Sequence, residues 1–224
     1  MSSPFQRARR PEQMAARRSA ILTAARIALS EKGVDGVTLR DISERVGLAK
    51  SNVLRYFDTR EAILLEVLDG ELRDWVSELA QRLGPPHRRK AGYASEKHFA
   101  RIVAETLVER QLLCELLGAM SAVLERNISA DYARDFKVRA MQSIRAITEL
   151  TSEQLPWLQP DFAAFFGEAT LSLVAGMYPF STPTEPVRSV IDDLGFPDPK
   201  IRFSEGLRTG LTTWLIGAAA QGSA

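Results

Sequence analysis

TLRDISERVGLAKSNVLRYF, residues 38–57, is the stretch that decides the fold. Thr38, followed three positions later by Asp41, makes a capping box that opens a helix. Gly47 ends that helix, because a residue without Cβ takes the left-handed conformation at little cost. A second short helix, from about Ala49 to Phe57, follows within a few residues. Leu39, Ile42 and Val46 on the first helix, Leu48 in the turn, and Val53 and Phe57 on the second fall on one side and close a small core. That packing leaves Lys50, Ser51, Asn52, Arg55 and Tyr56 on the opposite face, with polar groups sized for phosphates and base edges. Two short helices divided in this way around a tight turn read as a helix-turn-helix, the second being a recognition helix.

Working outward, a helix from about Pro11 to Lys32, ended by Gly33, offers Ile21, Ala24, Ala25, Ala28 and Leu29 to the same core. Downstream, Asp58 or Thr59, with Glu61 in the first turn, caps a long helix that runs to about Leu83 and is broken by Gly84, Pro85 and Pro86. Helical spacing recurs at roughly 95–110, 111–127, 131–155, 161–180 and 201–220, with a short helix near 187–194 between Pro-rich connectors. Alternating β-branched runs are missing. The pattern predicts an all-α protein, a three-helix helix-turn-helix domain over 15–60 behind a flexible basic arm at 1–14, and a larger helical body over 61–224.

Composition sets the class. With 45% hydrophobic and 25% charged residues the chain can bury a core like an ordinary globular protein. Its net charge of +1 conceals an asymmetry: residues 1–60 hold 12 Lys and Arg against 6 Asp and Glu, whereas 61–224 hold 17 against 22. A basic head on an acidic body suits a phosphate-binding module joined to a domain that does not bind phosphate. The single Cys114 excludes an intrachain disulfide and suits a reducing cytoplasm. No stretch reaches the roughly 20 apolar residues of a membrane span, and with no apolar run between Arg10 and Arg17 no secretory signal is expected. His87 falls in a basic loop and His98 on a helix surface; with no Gly-rich phosphate loop, no paired histidines and no nucleophile with an evident His partner, neither a cofactor, a metal nor catalysis is expected.

The spacing of Thr38, Ile42, Gly47, Lys50, Tyr56, Phe57 and Glu61 resembles the N-terminal domain of the TetR family of bacterial transcriptional regulators, over about residues 15–68. The resemblance implies phosphate contacts from Thr38, Lys50, Tyr56 and Arg60, and base reading by Ser51, Asn52 and Arg55. The sequence departs from the family pattern at Ala49, where Ser is usual, at Ser51 and Asn52, where Gly-Thr is common, and at Leu54, where Tyr is frequent.

In the body, Phe162, Phe166, Ala169 and Leu173 draw one apolar stripe, and Phe203, Leu207, Gly210, Leu211 and Trp214 another. Both can bury within one subunit; the resemblance instead implies a homodimer whose last two long helices pair into a four-helix bundle. Met120, Met141, Trp157, Phe165 and Tyr178 are candidate lining of a ligand cavity, as soft and aromatic side chains are, though the same residues serve equally as plain core. The function implied is a ligand-responsive repressor that binds a double-stranded DNA operator and is released by a small apolar or weakly polar effector. An effector-independent architectural DNA-binding protein and a small helical enzyme stand as the alternatives.

Overall fold

Helix α1 (Pro4–Gly36) is interrupted at Gly33, whose φ of +69° ends the regular run where the sequence places the stop. The computed structural model describes residues 4–222, with side chains from Pro11 onward, and these hold helices and turns but no strand. The arm expected at 1–14 lies outside the described residues at 1–3; from Pro4 the backbone is already helical and runs into α1. Residues 6–10 and 12–14 are all good helix formers, which supports a helical backbone on either side of Pro11.

Helix α2 (Leu39–Val46) opens on Thr38, whose side chain accepts from the Asp41 N–H at 3.2 Å while the Asp41 carboxylate accepts from the Thr38 N–H at 2.7 Å. Gly47 closes it at φ +68°, and Leu48 N–H reaches back to the Ser43 carbonyl at 3.0 Å. The recognition helix α3 (Lys50–Val53) is a single α-turn rather than two, and the chain tightens through 54–57, with Arg55 N–H on Asn52 O at 3.3 Å and Tyr56 N–H on Val53 O at 2.9 Å. Ala49 offers no side-chain cap to hold a longer helix. Helix α4 (Arg60–Leu83) starts on Thr59, which accepts from Ala62 N–H at 3.0 Å.

The body follows as α5 (Ala94–Val108), α6 (Gln111–Ala119), a π-turn at Met120–Leu124, α7 (Ala130–Gln154), α8 (Pro160–Met177), α9 (Glu185–Asp193) and α10 (Pro199–Gln221). Helices α4 and α7 run side by side in the same direction: Tyr132 donates to Ala62 O at 2.7 Å near one end, and Gln154 to Gly84 O at 2.8 Å at the other. Helix α5 lies against α4 and α10, with Trp75 on α4 fully buried and its indole N–H donating to Thr106 at 2.9 Å. Cys114 is buried too; desolvation pushes its thiol up to about 12, so it stays protonated near neutrality and packs as a small apolar group.

The two apolar stripes do not present themselves whole to a partner. Phe166, Phe203, Leu207 and Leu211 are buried inside the subunit, Phe166 against Phe99 at 5.9 Å between ring centroids and Phe203 against Tyr178 at 5.4 Å. A stripe this wide has a centre and a flank; α5 packs along α10, while α6 and α7 pack along α8. Only the flank stays half-exposed: Phe162, Ala169 and Leu173 on α8, Gly210 and Trp214 on α10. Phe165, expected in a ligand cavity, stands instead on this outer flank, 56% exposed and 6.0 Å from the Trp214 ring.

Replacing Trp75 with Phe deprives the Thr106 hydroxyl of its donor and leaves a void where the indole stood. Stability to urea should fall by about 2–4 kcal/mol with the unfolding slope unchanged, since one buried hydrogen bond and part of a buried ring are lost together.

Candidate functional site

The polar face of α3 is built as the sequence divides it. Val53 and Phe57 are buried, while Lys50, Ser51, Asn52 and Arg55 are exposed and Tyr56 is half-buried. Leu54 also faces solvent, 42% exposed, without a polar group to offer. Thr38 sits exposed at the α2 N-terminus, where its hydroxyl donates to Asp41 at 2.6 Å. Lys32 at 2.5 Å and the Thr38 groups hold the Asp41 carboxyl well below the usual range, so the cap keeps its charge.

Charge pairing then sorts the basic residues. Arg18 pairs with Glu66 and lies over the Phe57 ring at 4.2 Å; Arg26 pairs with Glu71 at 3.1 Å; Lys32 with Asp41, Arg40 with Glu44, and Arg45 with Glu31. Among residues 11–60, the cations left without an ion pair are Arg17, Lys50 and Arg55. Arg17 was not singled out in the sequence. With Gln13, Met14 and Tyr56 it borders an open groove between α1 and the end of α3. The missed signal is helical phase, for the α1 stripe through Ile21 and Ala25, carried back one turn, reaches Arg17.

Arg60 departs from the expected phosphate contact. Its guanidinium turns inward, donating to Val37 O at 2.7 Å and to Val34 O, and pairing with Glu61 at 3.0 Å. It pins the start of α4 to the corner between α1 and α2. Glu115 on α6 reaches the same corner from the body, its carboxylate accepting from the Val34 N–H at 2.6 Å.

Of the five candidate cavity residues, the fold brings together two. Met120 and Met141 line a cavity of about 430 Å³ between α4, α7 and α8, with Leu68, Leu72, Phe136 and Leu171 as its apolar walls. Trp157 is elsewhere, donating to the buried Glu96 at 2.8 Å beneath Arg89, and Tyr178 packs on Phe203. Aromatic type alone does not separate a cavity wall from core. Among the described residues no group of His, Cys, Asp and Glu is placed to hold a metal, and no helix is long and apolar enough to cross a membrane.

A basic helix-turn-helix head joined through one long helix to an all-α body is the build of a helical DNA-binding regulator. Residues 21–67 match the family model for bacterial regulatory proteins of the tetR family, and residues 69–222 match the tetracyclin repressor-like C-terminal domain. The chain belongs to the TetR family of transcriptional regulators. The HTH-type transcriptional regulator RutR of Escherichia coli is 37% identical over 71 residues, 32% of this chain, so the chain spans about a third of that relative, 34% of its length. The HTH-type transcriptional regulator BetI of Agrobacterium fabrum is 25% identical over 166 residues, 72% of this chain and 75% of BetI. A TetR variant of Acinetobacter baumannii, solved in complex with minocycline, shares the fold with a TM-score of 0.54 at 14% identity, over 91% of this chain and 97% of that one.

The head-to-body corner is tight at Gly33, where an added Cβ would stand 2.8 Å from Oε1 of Glu115 in a backbone conformation L residues rarely adopt. Gly33→Ala should therefore cost about 2–4 kcal/mol by urea titration, from backbone strain and from loss of the bond to Val34 N–H. In a Glu115→Ala background the same substitution should cost only the strain, about 1–2 kcal/mol. Costs that add across the pair would show that the contact does not limit position 33.

Proposed function

We propose that this regulator is a repressor that binds a palindromic operator as a homodimer and is released by a small effector held in the cavity beside Met120 and Met141. The observation that carries the DNA reading is the set of unpaired cations, Arg17, Lys50 and Arg55, around a recognition helix whose other exposed groups are Ser51 and Asn52. The other basic residues between 11 and 60 are neutralised within the fold; here the charge is left for phosphates. Lys50, Tyr56 and the Thr38 cap contact the backbone, with Arg17 extending that contact along α1. Ser51, Asn52 and Arg55 read base edges. Arg60 acts indirectly, by holding the head in place.

One helix-turn-helix makes few base contacts, and two related by a twofold axis read an inverted repeat about 34–36 Å apart. The flank of Phe162, Phe165 and Trp214 is the candidate seam, a run of exposed aromatic surface that a second copy covers. Helix α4 reaches from the recognition helix to the cavity, with Leu68 and Leu72 on the cavity wall and its first turn bonded to Tyr132. An effector that binds better to the form with mis-spaced heads lowers operator affinity, and the operator lowers effector affinity by the same factor.

Arg55→Ala is expected to weaken operator binding by about 1–3 kcal/mol while barely changing affinity for unrelated DNA. Lys50→Ala should weaken both alike and flatten the dependence of binding on log salt by about one. Fluorescence anisotropy over a salt series distinguishes them, and unchanged sequence discrimination in Arg55→Ala would remove that residue from base reading.

For assembly, Trp214→Glu should give a folded monomer by light scattering and circular dichroism, because its side chain lies on the outer flank. Leu211→Glu should instead unfold the subunit, since it places a charge in the core. A dimeric Trp214→Glu protein would move the seam off α8 and α10.

A further inference from the structure

The recognition helix is held from outside, and the hold comes from Arg18. Helix α3 is a single turn, and one turn is not stable on its own. Ala49 supplies no side-chain cap at its start, and Val53 and Phe57 anchor only one face by burial. Among residues 11–222, Arg18 on α1 is the one side chain hydrogen-bonded to residues 50–57: its Nη1 donates to the Tyr56 carbonyl at 2.5 Å. That carbonyl ends the segment, where backbone acceptors run out of helical donors. The same guanidinium donates from Nη2 to the Glu66 carboxylate on α4 and lies over the Phe57 ring at 4.2 Å. Arg18 and Glu66 are both half-buried.

Resting on the reading of α3 as the base-reading element, we propose that Arg18 is a positioning residue for operator recognition: it touches no DNA and fixes the reading segment to α4. A guanidinium is planar with its donors in a rigid fork, so two acceptors bound to its terminal nitrogens are held at a set separation. Here one acceptor is the backbone of Tyr56, next to Arg55, and the other is Glu66. One turn before Glu66, Ala62 is bonded to Tyr132, and two residues after it Leu68 lines the cavity. Where Arg55 and Tyr56 stand against DNA is thereby set by where α4 stands. Arg17, next in the chain, has the opposite assignment, for it lacks an ion pair and borders the open groove. The charge of Arg18 is met by Glu66, both terminal nitrogens are engaged and its plane is stacked on Phe57. A phosphate would have to break those contacts to gain it.

The test uses the full-length protein and fluorescence anisotropy with two duplexes, one enriched by the wild-type protein from a random library and one a scrambled duplex of the same composition. The quantity read is the ratio of the two affinities, since an unfolded fraction lowers both alike and leaves the ratio in place. In Arg18→Met, which keeps the apolar stem over Phe57, the ratio should fall by about fivefold or more, within what coupled contacts carry. The salt dependence on the scrambled duplex should not change. Arg18→Lys keeps the charge but not the fork and should not restore the ratio. Glu66→Ala should lower the ratio as Arg18→Met does, and the double variant should be no worse than either alone. If Arg18 instead contacts phosphate, Glu66→Ala frees it and tightens binding to both duplexes, while Arg18→Met flattens the dependence on log salt by about one. Either of those results, an unchanged ratio in Arg18→Met, or full rescue by Arg18→Lys overturns the proposal and leaves the α3 reading standing. A wild-type ratio near unity, or one unchanged when Ser51, Asn52 and Arg55 are all replaced by Ala, overturns the α3 reading and this proposal with it.

Discussion

Burial of α4 on nearly every side is the constraint on which the rest of the fold rests. Ala62, Ile63, Leu64, Leu65, Val67 and Leu68 are all buried, so the first two turns carry apolar groups around most of their circumference rather than along one stripe. Such a helix must be wrapped. Helix α1 covers it from the head, α5 and α6 from one side of the body, and α7 from the other. A single apolar core consequently runs from Ile21 in the head to Leu215 near the end of α10. The boundary between head and body is one of charge and function, while the packing is continuous across it.

Polar contacts across that boundary join Arg18 to Glu66, Arg26 to Glu71 and Glu115 to the Val34 N–H. Glu115 and Arg60 meet the α1–α2 corner from different sides, one accepting from Val34 N–H and the other donating to Val34 O. Tyr132 holds Ala62, and burial raises its hydroxyl pKa, which keeps it a neutral donor there. These bonds tie backbone atoms at the α1–α2 corner and in the first turn of α4 to side chains of α4, α6 and α7. Glu115 thus links α6 directly to the corner from which α2 starts. The π-turn directly after α6 lies where Met120 meets the cavity, a loosened helical repeat in its wall.

Much of this was legible in the sequence, and for identifiable reasons. The Thr38–Asp41 box, the Gly33 and Gly47 stops and the Thr59 cap are local chemistry, and local chemistry sets the ends of α1, α2 and α4. The polar face of α3 was legible because Val53 and Phe57 occupy the other face. Non-local pairing was not. Arg60 and Arg55 look alike in the chain, yet one is consumed by two carbonyls and the other is left free. Leu211 and Trp214 lie on one stripe, and only the position of α5 decides that the first is core and the second surface. Phe165, Trp157 and Tyr178 lie away from the cavity beside Met120 and Met141 for the same reason, since an aromatic residue on an apolar face does not record which neighbour covers it.

The contact between Gly33 and Glu115 bears on how heads and bodies can be recombined among relatives. Regulators of this build invite the exchange of a DNA-binding head onto another ligand-binding body. Here the graft carries a matching condition: a donor head with any side chain at position 33 collides with the carboxylate that α6 supplies, and a donor body lacking that carboxylate leaves the Val34 N–H without its partner. A hybrid that keeps this corner intact must take position 33 and position 115 from compatible parents, although one lies in the head, the other in the body, and 81 residues separate Glu115 from Val34.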